Sequence, residues 1–308
     1  EHLELAMDVI FDIFFHPKFP QEEIKKEAGV ICEEIKMYYD NPRAHAMDKI
    51  KECLYEKPFG ISIAGSEKNV KSMTRKQLLD KHTENYNTKN TILAVVGNNS
   101  FEDVLKLAEK FSAKGRLDGK QKEKVKLKLK NKKDGEKRTD IQQATIVLGF
   151  HFPTMSQKER AAAEVISTIL GEGMSSKLFT EVREKRGLAY AVKSDIDAGK
   201  DYGYLYIYIG TDKGKVKQVI DLCILEFKKL KDLTEKELQE AKTQLKGNFD
   251  VDSEDCAKTA VSLLLEEISG DAKDYYKYKE EITAVSLEDV KKLVNFSDFS
   301  SYVVEPND

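Results

Sequence analysis

The feature that most restricts the fold of this 308-residue chain is that it repeats itself. MDVIFDIFF (7–15) recurs as IDLCILEFK (220–228), FPQEEIKKE (19–27) as LTEKELQEA (233–241), and VKSMTRKQLLDKH (70–82) as ITAVSLEDVKKLV (282–294). The offsets are 213, 214 and 212 residues, in unchanged order. Asp8 pairs with Asp221 and Ile24 with Leu238, and each third segment has a capping residue, Thr74 or Ser286, three positions before Gln77 or Asp289. Unrelated amphipathic helices can match in pattern, but they would not hold one offset. The chain therefore reads as two copies of one domain, which its length also favours.

The second copy opens near Asp140 with a strand at 142–150 (QQATIVLGF), a helix at 157–170 and a Gly-rich turn, GEGMSS (171–176). The first copy has no such opening, and subtracting the offset places its start roughly seventy residues before Glu1, so the first domain is expected to be incomplete. Its remainder reads as a helix over 3–16 with Leu3, Leu5, Ala6, Val9, Ile10, Ile13 and Phe14 inward, then helices over 19–40 and 43–55 and a capped helix from Thr74. A buried strand is expected at 91–96 (TILAVV) and a helix at 101–112. In the second copy 202–210 (YGYLYIYIG) alternates as a strand; helices follow over 214–231, 235–249, 256–269, 272–282 and 287–294, and a strand over 300–304. Between the copies, 115–140 is dense in lysine. KVKLKLK (124–130) suits a strand with one solvated face, and KNKKDGEKRTD (130–140), with turn residues and no apolar content, reads as linker. The expected fold class is α+β, with part of a first domain at 1–129, a linker at 130–140 and a second domain at 141–308.

Charged residues make up 34% of the chain, yet the net charge is −3, which gives no bulk attraction to nucleic acid or membrane. The lysines of 115–140 also lack the interleaved aromatics of a nucleic-acid surface. No stretch approaches the roughly 18 uninterrupted apolar residues of a membrane span. Cys32, Cys53, Cys223 and Cys256 are scattered, with no CxxC pair. They read as small buried apolar residues in a reducing compartment, so a cytoplasmic location is expected.

In the helix over 19–40, Ile24, Val30, Ile31, Ile35 and Met37 form one apolar stripe, and Glu27 and Glu34, seven residues apart, share a face. Two such carboxylates are either a solvated acidic edge or half of a metal or acid–base site, and the local sequence leaves both open. GEGMSS is no phosphate loop, because no GK[ST] follows; Gly171, Gly173 and Gly187 read as turn residues, and Lys185 and Arg186 as solvated.

KKEAGVICEEIKMYYDNP (25–42), LYEKPFGISIAGSEKNVKSM (54–73), YNTKNTILAVVGN (86–98) and above all LGEGMSSKLFTEVREKRGLAYAV (170–192) resemble the pitrilysin and insulinase-type zinc metallopeptidases, in the mitochondrial-processing-peptidase-like branch of small bacterial enzymes. The resemblance runs over nearly the whole chain. It implies two homologous α+β domains, each a mostly antiparallel sheet packed with helices, zinc as cofactor, unfolded peptides as substrates, and a homodimer or a heterodimer with a similar subunit. In the family, zinc is held by an HxxEH helix, whose Glu is the general base, and by the later Glu of an E-x6-E pair. Carried onto this sequence, Glu34 is the metal ligand and Glu27 the glutamate that orients a ligand from behind. The family's R-x6-Y pair, which contacts the peptide carbonyl as it becomes tetrahedral, matches Arg183 and Tyr190 in EVREKRGLAY.

The sequence departs from the family at one decisive place. Residues 1–308 contain no HxxEH, and His2, His16, His45, His82 and His151 are isolated. By family spacing the motif belongs about 75–80 residues before Glu34, ahead of Glu1. A site of three ligands and a base cannot be built from one carboxylate, so the chain as given is expected neither to hold zinc tightly nor to hydrolyse peptides. Two readings follow: a large piece of a zinc endopeptidase, or a non-catalytic scaffold or partner subunit of the same fold. Retention of Glu27, Glu34, Arg183 and Tyr190 favours descent from an active enzyme.

Overall fold

The structure, a computed structural model, describes residues 2–113, 115 and 125–307. Lys124 of KVKLKLK and the lysine-rich 116–123 before it lie outside the described residues. The helices of the first half are α1 (Leu3–Phe15), α2 (Gln21–Asp40), α3 (Pro42–Leu54), α4 (Glu67–Ser72), α5 (Arg75–Asn85) and α6 (Phe101–Ser112). The second half contains β1 (Lys133–Arg138), β2 (Ala144–His151), α7 (Arg160–Gly171), a π-helical turn (Phe179–Glu184), β3 (Ala189–Ala198), β4 (Gly203–Thr211), α8 (Val216–Lys229), α9 (Glu235–Ser253), α10 (Cys256–Ser269), α11 (Tyr278–Ala284), α12 (Leu287–Leu293) and β5 (Ser300–Pro306). The repeat holds at the level of caps. Thr74 opens α5 and Ser286 opens α12 with complete capping boxes, and Asn41 and Asp255 cap α3 and α10 through side-chain oxygens.

Two compact units emerge, one of Glu1–Met37 and Ala64–Lys126, the other of Tyr38–Ile63 and Leu127–Asp308. The boundary differs from the sequence division, since 38–63 joins the second unit. In the first unit Phe11 of α1 meets Phe111 of α6 at 6.0 Å. The turn between α1 and α2 puts Phe19 at φ 44°, and Arg75 secures it by donating from Nε to the Phe19 carbonyl at 2.9 Å and from Nη2 to that of Lys18 at 3.0 Å. Three expectations fail in this unit for one reason. Leu5, Ala6, Val9, Ile10 and Ile13, read as inward, are exposed; Val30 and Met37 of the α2 stripe are exposed; and 91–96 forms no ladder, with Ile92 and Leu93 exposed. Apolar periodicity marks a face able to be covered, and no described element of this unit covers these.

The second unit is built on a five-stranded sheet of order β1-β5-β2-β4-β3, antiparallel except for the parallel β1–β5 pair. Its central strands are covered on both faces, which is why β2 is almost continuously apolar. Ile146, Leu148 and Phe150 of β2 pair across to Ile209, Ile207 and Leu205 of β4 and pack with Val165, Ile166, Leu170, Cys223 and Phe227 of α7 and α8. On the other face Val147 and Tyr204 and Tyr208 pack with Ala46, Ile50, Cys53 and Leu54 of α3. The 130–140 stretch read as linker is a correction: 133–138 is the edge strand β1. Edge pairing is made by backbone groups and tolerates a polar sequence, and the buried Arg138 anchors the strand by donating to the Tyr39 carbonyl at 2.5 Å and pairing with Asp140. Of the cysteines, Cys32, Cys53 and Cys223 are buried as expected, whereas Cys256, at the first turn of α10, is exposed.

The glycines of GEGMSS divide by role. Gly173 sits at φ 83°, a true turn position, while Gly171 ends α7 where its bare Cα lies against the backbone nitrogen of Ser194 in β3. A methyl there would collide with backbone that cannot swing aside, so Gly171→Ala is expected to lower stability by about 1–3 kcal/mol. An unchanged midpoint in urea unfolding would contradict the close helix–strand approach.

Candidate functional site

Glu27 and Glu34 lie on the unbroken helix α2, seven residues or about 10.5 Å of rise apart, and both are exposed. Their shared face is thus as expected. A zinc ion needs three protein donors brought together, and among the described residues no group of three His, Cys, Asp or Glu side chains is placed to hold a metal. Two histidines of the same unit are committed elsewhere. The His82 ring nitrogen bonds the Phe14 carbonyl at 2.8 Å and the ring stacks on Tyr86, while His16 pairs with Asp12. The donor set present therefore does not fit zinc, and Glu34 alone supplies no metal chemistry.

The second unit positions the other two candidates. Arg183 stands on the π-helical turn, a rare local geometry often found at functional sites, with its guanidinium 4.9 Å over the Phe179 ring. Its neighbours Lys185 and Arg186 are exposed, as read from sequence, and both pair with Glu181, at 2.6 Å each. Hydrogen bonds from Arg186 and Lys185 hold the Glu181 carboxyl down at about 2. Arg183 is left exposed and without an ion partner among the described residues.

Tyr190 occupies a β-bulge. Ala189 pairs with Thr211 and Ala191 with Gly210, so Tyr190 is the extra residue of β3. Bulges re-aim side chains, and this one leaves the phenol 46% exposed with its ring lying over the bare Cα of Gly210. The nearby Tyr208, whose phenol interacts electrostatically with that of Tyr190, is only 7% exposed and has the Arg43 guanidinium 4.5 Å over its ring. Burial first, then the Tyr190 oxygen, pushes the Tyr208 phenol up to about 12, with Arg43 opposing. No hydrogen bond, ion pair or ring contact joins Arg183 to Tyr190 among the described residues; both are exposed on neighbouring elements of one unit.

Tyr208 is the end of a row that sequence reading treated only as alternation. Tyr202 and Tyr204 donate to the two oxygens of Asp197 at 2.8 and 2.6 Å, and Lys51 of α3 pairs with the same carboxylate at 3.1 Å. Burial alone would raise the Asp197 carboxyl, but these donors and the ammonium outweigh it and hold it below the usual range. Phenols at every second position of YGYLYIYIG were the available signal, because buried hydroxyls require acceptors. A carboxyl whose folded value is depressed stabilises the fold above its unfolded value, about 4, and that contribution fades as pH falls through the folded value. The stability lost in Asp197→Asn should therefore be greatest near pH 6 and shrink below about pH 4, measured as urea midpoints; a pH-independent loss would reject the charge network.

The family described as Peptidase M16 inactive domain matches residues 72–245, and Insulinase (Peptidase family M16) matches residues 1–67. A Bacillus subtilis protein described as an uncharacterized zinc protease is 32% identical over 100% of this chain and 76% of its own length. Two crystal structures share the fold. A protease from Helicobacter pylori has TM-score 0.89 and 21% identity, covering 99% of this chain and 77% of its own. A peptidase M16 inactive domain from Pseudomonas fluorescens has TM-score 0.87 and 23% identity, covering 99% and 75%. The family descriptions meet across α4 and span both units, and with relatives 32% identical along its whole length this chain belongs to peptidase family M16.

Proposed function

We propose that this chain is the substrate-contacting portion of an M16-type zinc endopeptidase that acts on unfolded peptides, and that by itself it binds peptide without hydrolysing it. The single observation that carries the reading is the display of the Tyr190 side chain, 46% exposed, at a β-bulge beside an otherwise buried face. A phenol O–H and a guanidinium are both donors suited to a peptide carbonyl oxygen, more so as that oxygen gains charge. Arg183 supplies the second donor, freed by the pairing of its neighbours with Glu181. Glu34 and Glu27 are assigned as the carboxylate ligand and the glutamate behind it, in a site whose remaining donors are not among the described residues. No bond-breaking step is assigned to the residues present. The naming of relatives as zinc proteases supports the reaction class, and the family description of an inactive domain supports a contact role for the second half.

The test is peptide binding and turnover by the chain with zinc added. Fluorescein-labelled casein, an unfolded polypeptide, should raise anisotropy saturably without being cut. Tyr190→Phe should weaken binding about 2–10-fold, the range of one neutral hydrogen bond, and Arg183→Ala about 10–100-fold, that of a charged one. Zinc-dependent cleavage would overturn the non-hydrolytic part. Absence of any casein binding would overturn the contact role and leave the scaffold reading. In calorimetric zinc titrations Glu34→Gln should match the parent chain, both without tight binding; tight binding lost on substitution would show a donor set that the described residues do not contain.

A further inference from the structure

We infer that a recess of about 160 Å³ in the second unit, lined by Phe249, Tyr275, Tyr278 and the Glu164 carboxylate, is a binding site for a primary alkylammonium group. It shares no residue with the proposed peptide contacts Arg183 and Tyr190 and does not depend on their reading. The helix α7 is buried along its whole length except at Arg160 and Glu164, which stand one turn apart on one face. Residues of opposite charge at that spacing can pair with each other. Here Arg160 turns away: its Nη1 donates to both oxygens of Glu266, at 2.8 and 2.7 Å, and its Nη2 to Glu281 at 3.3 Å. Glu164 makes no ion pair among the described residues, and the Tyr278 hydroxyl donates to its Oε2 at 2.7 Å. A carboxylate withdrawn from water without a cation is costly. Burial pushes the Glu164 carboxyl up, against the Tyr278 hydrogen bond and the charge of Arg160. A cation brought to Glu164 relieves the same cost.

The rest of the recess suits an ammonium on a short alkyl chain. An ammonium has three N–H donors and no acceptor. Glu164 Oε1 makes no hydrogen bond among the described residues, and the Tyr278 oxygen, having given its proton to Oε2, keeps its lone pairs, so the lining holds two adjacent acceptors. Phe249 packs against Tyr275 and Tyr278, with ring centroids 5.0 and 4.8 Å apart, and aromatic faces attract cations. Met155 and Ile196 offer apolar contact to the alkyl chain. The charged residues of the lining are Glu164, Glu266 and Arg160, two carboxylates against one guanidinium, so an entering cation meets net negative charge and an anion is repelled. A volume of roughly 150 Å³ takes a six-carbon ring, so n-butylammonium, four carbons and a nitrogen, is of a size to enter.

The probe is n-butylammonium chloride, added to the full chain. With the chain labelled at glutamate Cδ, the Glu164 carbon resonance, assigned by its loss in Glu164→Gln, should move saturably as the salt is added. By saturation-transfer NMR of the ligand, n-butanol, of the same length and uncharged, should bind at least about 10-fold more weakly. Glu164→Gln, which keeps the shape of the side chain, should weaken butylammonium about 10–100-fold with circular dichroism unchanged, the range of a hydrogen bond to a charged group. An unmoved Glu164 signal, equal binding of n-butanol, or full binding by folded Glu164→Gln would overturn the site. Should Glu164→Gln not fold, the comparison of butylammonium with n-butanol on the parent chain decides alone. Acetyl-Gly-Lys-Gly-amide and its Nε-acetylated form separate the sources of such a group. Binding of the first and not the second upholds a site for lysine side chains of polypeptides, and binding of butylammonium without either peptide upholds a site for free amines.

Discussion

A sheet covered on both faces is the constraint on which the second unit depends. One face of β2 and β4 closes with Leu and Ile against α7 and α8, and needs nothing beyond apolar contact. The other closes with tyrosines under α3, and each buried phenol requires a partner or costs of the order of 1–3 kcal/mol. Asp197 meets that requirement for Tyr202 and Tyr204, and the Gly203 carbonyl meets it for Tyr55.

What could be read from sequence was what is local. Capping boxes at Thr74 and Ser286 need only four residues in a row, and both are present as expected. The helices of the second half fall where periodicity placed them, within a few residues, except that 272–277 is a 3-10 segment leading into α11. Illegible features depend on distant partners. TILAVV has strand composition, yet a strand exists only where another strand accepts its backbone bonds. KDGEKR has none of that composition and is nevertheless a strand, because β5 offers it a ladder. Arg183 and Tyr190 were visible as a spaced pair within a familiar motif. The bulge that turns Tyr190, the cross-strand position of Gly210 and the seating of Arg43 over Tyr208 follow from register and packing, and no spacing in the sequence encodes them.

The repeat makes the same point within one chain. Cys223 and Phe227 of α8 are buried against the sheet, and the residues 213 positions earlier, Ile10 and Phe14 of α1, are exposed and half-buried. Two helices of one pattern thus bury their apolar faces to different degrees, because burial is decided by what lies opposite rather than by the helix itself.

Gly210 changes how substitutions at this site should be read across relatives. A glycine inside a strand is usually taken as tolerance or as a weak point, and one at a turn as a demand on φ. Here the demand is volumetric and belongs to a pair of positions: bulk at 210 and an aromatic at 190 exclude each other. Members that carry a larger residue at 210 are therefore expected to have given up or redirected the phenol, and the two columns should vary together even though each looks unremarkable alone.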